Sequence, residues 1–240
     1  MLELSGVTKA YRRGEVVAVK HLSLAVKPGE IFGFLGPNGA GKTTTIKMMA
    51  GILPPDEGTI TLKGIPVWPD PLKAKRHIGY VPDTPQIYPQ LTGLEYLRFV
   101  ADIYQVPLSQ REKEVEERAR ALELLDHLED RVRDYSHGMQ QKLALIASLL
   151  PRPYLWILDE PMVGLDPRAV HTVKTWMQEY ASQGNIVFFS THILEVAERL
   201  VDRVGIIHHG ELVAVGTLEE LRQGEQGASL EHIFLALTES

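Results

Sequence analysis

The chain has 240 residues, 44% hydrophobic and 23% charged, enough to bury a core as one large or two small domains. A net charge of −6 with scattered basic residues gives no stripe for nucleic acid, and the absence of cysteine excludes a disulfide framework and thiolate chemistry. Nothing at the N-terminus reads as a signal peptide, and the longest clean apolar run, LALIASLL, is far below the roughly 20 residues that span a bilayer, so the chain is expected not to cross a membrane alone.

Apolar residues largely alternate from Val17 to Val26, and IFGFL from Ile31 is a short apolar run; both are read as strands. A Gly-rich turn follows, then a helix predicted from about Thr43 to Ala50 and closed by Gly51. Further strands are expected at TITL from Thr59 and HIGYV from His77, before Pro82, Pro85 and Pro89 punctuate the chain. The pattern then turns helical. Thr92 with Glu95 and Ser109 with Glu112 both fit the capping box, so two helices are expected to start there, the second burying Val115, Ala119, Leu122 and Leu125. Ser136 in YSHGMQQK reads as the N-cap of a third, with Leu143, Ile146, Ala147 and Leu150 on its buried face.

After this helical insertion come YLWIL, a helix capped by Asp166 with Pro167 at its first position, IVFF, another helix, and VGII. Strand alternating with helix predicts a parallel sheet covered on its faces. A last helix near Leu230, Ile233, Phe234 and Leu237 has an apolar face that needs a partner in this chain or another.

Two segments carry chemistry. GPNGAGKT, Gly36 to Thr43, satisfies G-x-x-x-x-G-K-[ST] between a strand and a helix, the context in which backbone N–H groups close around phosphate. In that motif Lys42 reaches the β and γ phosphates and Thr43 ligates Mg2+. LWILDE sets Asp159 and Glu160 at a strand end, where alternation predicts opposite orientations: Asp159 toward Mg2+, Glu160 toward the γ-phosphate and the attacking water. A plain turn or a solvated acidic strand end would explain either segment alone; their co-occurrence favours phosphate chemistry.

With these motifs the sequence resembles the ATP-binding subunit of ABC transporters, over nearly the whole chain to about Gly216. YSHGMQ resembles the family signature, DEPMVGLDP the Walker B segment and D-loop, and STH the switch histidine. The resemblance implies a P-loop α/β core with a mainly parallel sheet, an N-terminal antiparallel β subdomain and a helical subdomain. Residues 1–83 and 151–216 would form the core, 84–150 the helical subdomain and 217–240 a helical tail. ATP would be held by Gly36, Pro37, Asn38, Gly39, Ala40, Gly41, Lys42, Thr43 and Thr44, with Tyr11 stacked on adenine. Catalysis would fall to Lys42, Glu160 and His192, and Mg2+ to Thr43, Asp159 and Asp83. Asp166 would work across a dimer interface, where Ser136 and Gly138 bind the partner's γ-phosphate in trans.

The implied partners are a second ATP-binding subunit, identical or different, and transmembrane permease subunits, with no nucleic acid. The implied location is cytoplasmic, on the inner face of the cell membrane. Two positions depart from the family pattern: His137 replaces a usual glycine, with an outward-facing ring expected, and Asp83 replaces a usual glutamine. A soluble ABC-type ATPase of translation or DNA repair would bring tandem cassettes, coiled-coil insertions or basic arms, none of which is seen. A binding module without turnover would lack the carboxylate that Glu160 provides.

Overall fold

A computed structural model describes residues 1–11, 14–222 and 229–238. Two sheets carry the fold. In the first, β1 (Leu2–Tyr11) runs antiparallel to both β2 (Val16–Val26) and β4 (Glu57–Leu62), and the short β5 (Ile65–Pro66) extends the edge, giving the order β2-β1-β4-β5. The second has the order β10 (Glu211–Gly216), β9 (Arg203–His208), β3 (Ile31–Leu35), β8 (Ile186–Thr191), β7 (Leu155–Asp159), β6 (Ile78–Val81). Its pairs are parallel except the last hairpin, β9 with β10.

Every residue of β3, β7 and β8 is buried, as expected of parallel strands covered on both faces. Alternate side chains serve two apolar layers. Phe32, Phe34, Ile157 and Phe188 face the antiparallel sheet and α1 (Lys42–Met49), while Leu35, Trp156, Leu158 and Phe189 face the other helices. Each such side chain contributes about 1.5–3 kcal/mol by leaving water.

After α2 (Leu72–Lys75) and β6, the chain runs through α3 (Gly93–Ile103), α4 (Leu108–Ala121), two short 3-10 turns and α5 (His137–Leu149) before it returns to the sheet at β7. The capping box at Thr92 forms in both directions: Glu95 N–H donates to Thr92 Oγ1 at 3.1 Å and Thr92 N–H to Glu95 Oε2 at 2.8 Å. The box expected at Ser109 does not form. Pro107 is the N-cap, and its carbonyl accepts from Gln110 and Arg111 N–H, so the cap lies two residues earlier and Ser109 already sits inside the helix. Then follow α6 (Pro167–Ser182), α7 (Leu194–Glu198), α8 (Leu218–Leu221) and α9 (Leu230–Thr238).

The tail helix finds its partner within the chain, packing on α7; residues 223–228 and 239–240 of the expected tail lie outside the described residues. Among the described residues, no helix is long and apolar enough to cross a membrane.

Candidate active site

β3 ends at the centre of the large sheet, and residues 36–41 turn the chain into α1. Two close approaches demand glycine. A Cβ on Gly36 would lie 2.4 Å from the Ile207 carbonyl oxygen, and one on Gly41, whose φ is +113°, would lie 2.4 Å from that of Ala18. The turn between β9 and β10 braces the loop from behind: Gly210 N–H donates to Ala40 O at 2.9 Å, and Gly210 O accepts from Lys20 N–H at 2.8 Å.

Gly41 has no side chain with which to cap α1, so the positive end of that helix borders a cavity of about 220 Å³. Asn38, Gly39, Gly41, Lys42, Thr43, Thr44, Asp83, Asp159 and Glu160 line it, with Ala18 at the edge. Lys42 is only 7% exposed, and its ammonium donates to Gly36 O at 2.5 Å and Pro37 O at 3.1 Å. Burial lowers its pKa, opposed by the charges of Glu160 and Asp159. Such a cation, held by neutral carbonyls beside a cavity, is poised for an anion.

Asp159 is 1% exposed. Ser190 Oγ donates to its Oδ1 at 2.5 Å and Thr43 Oγ1 to its Oδ2 at 3.0 Å. Burial nevertheless raises its pKa, with smaller contributions in the same direction from Asp83 and Glu160. Glu160 corrects the expectation drawn from strand alternation, because its side chain lines the same cavity as that of Asp159. β7 ends at Asp159, and Glu160 adopts a left-handed φ of +50°, its N–H held by Ser190 Oγ at 3.1 Å and Ser190 O at 3.2 Å. That backbone costs about 1–2 kcal/mol, spent on turning the second carboxylate toward the first. His192, just past β8, places Nδ1 3.0 Å from Glu160 Oε2, and its backbone N–H donates to the same oxygen at 3.4 Å.

The donor set suits Mg2+. Thr43 and Asp159 offer hard oxygens side by side, and no cation among the described residues is bonded to the buried Asp159 carboxylate. Among the described residues no three acidic or histidine side chains form a metal cage, and Mg2+ characteristically takes one or two carboxylates and most of its remaining oxygens from phosphate and water. Asp83 lines this cavity and also a groove of about 590 Å³ between the core and the helices of residues 93–149; no other described residue lines both. Its Oδ1 accepts from Thr84 N–H at 2.8 Å.

Tyr11, at the end of β1, sets its hydroxyl 3.3 Å from Thr44 Oγ1 with its ring half exposed. Ser136 and Gly138 lie elsewhere and do not line the cavity. Ser136 Oγ accepts from Met139 N–H at 3.2 Å, and Gly138 sits so close to Gly164 that a Cβ would lie 2.5 Å from its carbonyl. The exposed ring of His137 lies over Gly164, so it points outward as expected yet also covers the next loop. Asp166 caps α6 through Ala169 N–H at 2.9 Å and pairs with Lys142 Nζ at 2.7 Å, and these bonds, the lysine first, hold its carboxyl at about 2.

The residue that sequence reasoning missed is Ser190. It lies 31 positions from Asp159, so no local motif joins them. The available signal was a hydroxyl in the otherwise apolar run IVFF-S, since a buried polar group needs a partner.

A family model described as ABC transporter matches residues 19–163. The ABC-type transporter ATP-binding protein EcsA of Bacillus subtilis (strain 168) is 37% identical over 240 residues, covering 99% of this chain and 96% of that protein. A solved structure described as the ATP binding subunit of an ABC transporter superposes with a TM-score of 0.94 at 35% identity, over 99% of each chain. The ATP-binding cassette MJ0796, in a dimeric post-hydrolysis state bound to ADP and Pi, gives a TM-score of 0.83 at 27% identity, over 91% of this chain and 99% of that one.

Proposed function

The chain belongs to the family of ABC transporter ATP-binding subunits, and we propose a residue-by-residue account of how it performs that work. It binds ATP, hydrolyses it, and drives conformational change in separate membrane-spanning subunits. The relatives are transporter subunits, which disfavours the soluble alternative in translation or DNA repair. One observation carries the assignment of roles: Lys42, Thr43, Asp159 and Glu160 line a single cavity at the N-terminus of α1, with His192 in contact with Glu160.

Lys42 exchanges its two carbonyl partners for β and γ phosphate oxygens, while backbone N–H groups between Gly36 and Thr44, Pro37 having none, bind the phosphate chain. Tyr11 stacks on adenine. Thr43 and Asp159 hold Mg2+, with Asp83 as a further oxygen, and the ion when bound draws negative charge from the phosphate oxygens. Glu160 orients the attacking water and accepts its proton, and His192 fixes Oε2 of Glu160 while contacting the γ-phosphate. Ser136 and Gly138, which stand outside the chain's own cavity, complete the site of a second subunit, with Asp166 at the same interface. The dimeric state of MJ0796 supports this reading.

The division into a core (1–83 and 151–216), a helical subdomain (84–150) and a tail follows from it. The groove beside Asp83 receives the permease subunits. Tyr96, Val100 and Tyr104 line that groove, and Tyr88 and Phe99 form an exposed edge-to-face pair in the same helical region. Asp83 is then the group that feels both the nucleotide and the permease. The subunit sits at the cytoplasmic face of the membrane through those contacts.

Glu160→Gln tests the account. The variant is expected to bind ATP, to lose at least about 100-fold in turnover, and to elute as an ATP-dependent dimer on size-exclusion chromatography, because phosphate contacts persist while the base is gone. Turnover at the wild-type rate would remove Glu160 from the mechanism.

A further inference from the structure

α7 has five residues, too few for a helix to hold itself in place. Its N-cap, Ile193, offers no side-chain acceptor, and the turn before it is secured by Ile193 N–H donating to Thr191 Oγ1 at 3.1 Å. Where α7 sits is therefore decided by tertiary packing, and its chief neighbour is α9. Leu230 of α9 is fully buried, and Ile233, Phe234 and Leu237 join the apolar cluster that contains Leu194, Val196, Ala197 and Leu200. Arg222 adds an ion pair of 2.8 Å to Glu198 at the far end of α7.

The other end of α7 leads back through Ile193 to His192, whose Nδ1 is 3.0 Å from Glu160 Oε2. A shift of α7 by one ångström is enough to break that contact, since a hydrogen bond lengthened to about 4 Å is no longer one. We propose that the C-terminal helix α9 is a positioning element for His192: by clamping α7 it sets the histidine against Glu160, so the tail tunes hydrolysis without touching nucleotide. Any partner that pulled α9 away would slow turnover while leaving ATP bound.

The inference rests on the role given to His192, and the test separates the two. Leu230→Asp in the full chain is expected to lower kcat roughly 10-fold, the size of effect that a small misplacement of a catalytic group produces, with ATP affinity within about two-fold of wild type. Leu230→Met, which keeps the apolar contact, retains the wild-type kcat. In a His192→Ala background, Leu230→Asp has no further effect, because the residue through which it acts is gone. An equal loss of kcat in both backgrounds, or unchanged kcat in Leu230→Asp alone, overturns the role of α9. Wild-type turnover in His192→Ala alone overturns the reading beneath it. If Leu230→Asp also loses ATP binding through misfolding, Phe234→Ala at the partly buried edge of the same contact is read by the same criteria.

Discussion

The N-termini of α1 and α5 are built from opposite solutions to one problem. Both helices begin with N–H groups that have no partner within the helix. α5 answers with Ser136, whose hydroxyl caps Met139 at the surface of the molecule. α1 has Gly41 and no side-chain cap, and it opens on a cavity with a buried lysine and three carboxylates. The first is finished as a helix, and it stands away from the chain's own phosphate loop. The second leaves its first N–H groups without a side-chain cap beside that cavity. On the proposed reading, the uncapped start serves the chain's own nucleotide and the capped, exposed start that of a partner subunit.

The largest expected effect comes from removing the cation on the α1 side. Lys42→Ala should weaken ATP binding by roughly 100-fold or more, since a desolvated charge pair loses one partner entirely; isothermal titration reads it, and unchanged affinity would reduce the loop to a turn. The α5 side is tested by mixing. Ser136→Arg and Lys42→Ala should each be nearly inactive alone. Combined, they should recover up to about a quarter of wild-type turnover, because half of randomly paired dimers are mixed and each mixed dimer has one complete site of two. A mixture that shows neither turnover nor ATP-dependent association would leave Ser136 as a plain cap.

A smaller effect sharpens the comparison from the carboxylate side. Burial holds the folded-state pKa of Asp159 above its ordinary value, so this group weakens the empty protein as pH rises from the ordinary carboxylate range through the raised value. Asp159→Asn keeps one acceptor oxygen, for the Ser190 hydroxyl, presents an amide N–H that the Thr43 hydroxyl can accept, and removes the charge. The nucleotide-free melting temperature at neutral pH should rise by about 2–4 °C, while the additional stabilisation by ATP with Mg2+ over ATP alone disappears. A lower melting temperature would mean that the ionised carboxylate stabilises the fold.

The sequence disclosed most where chemistry is local. The phosphate loop, the acidic strand end and the Thr92 capping box are each contained in a few consecutive residues, so spacing alone located them. β1 escaped because its alternation breaks: the register with β2 shifts between Leu4 and Val7, and Gly6 between them takes φ +57°. β10 escaped because it is an edge strand with only partly buried Leu212 and Ala214. In the site, the side on which Glu160 emerges was illegible, because one left-handed backbone step overrides strand alternation and nothing in LDEP announces it. Ser190 was illegible because its partner comes from a neighbouring strand, and strand order is a property of the whole sheet.

The brace behind the phosphate loop is made of backbone atoms: the carbonyls of Ala18, Ala40 and Ile207, the N–H of Lys20, and both polar groups of Gly210. Its inheritance is therefore unusual. Side chains at 18, 20, 208 and 209 can drift over generations without altering one of those hydrogen bonds, while Ile207 is held by the core and the three glycines at 36, 41 and 210 are pinned by carbonyls that no substitution can move aside. A lineage could rewrite most of the letters around its nucleotide site and still transmit the same loop, because what is handed down there is the path of the chain.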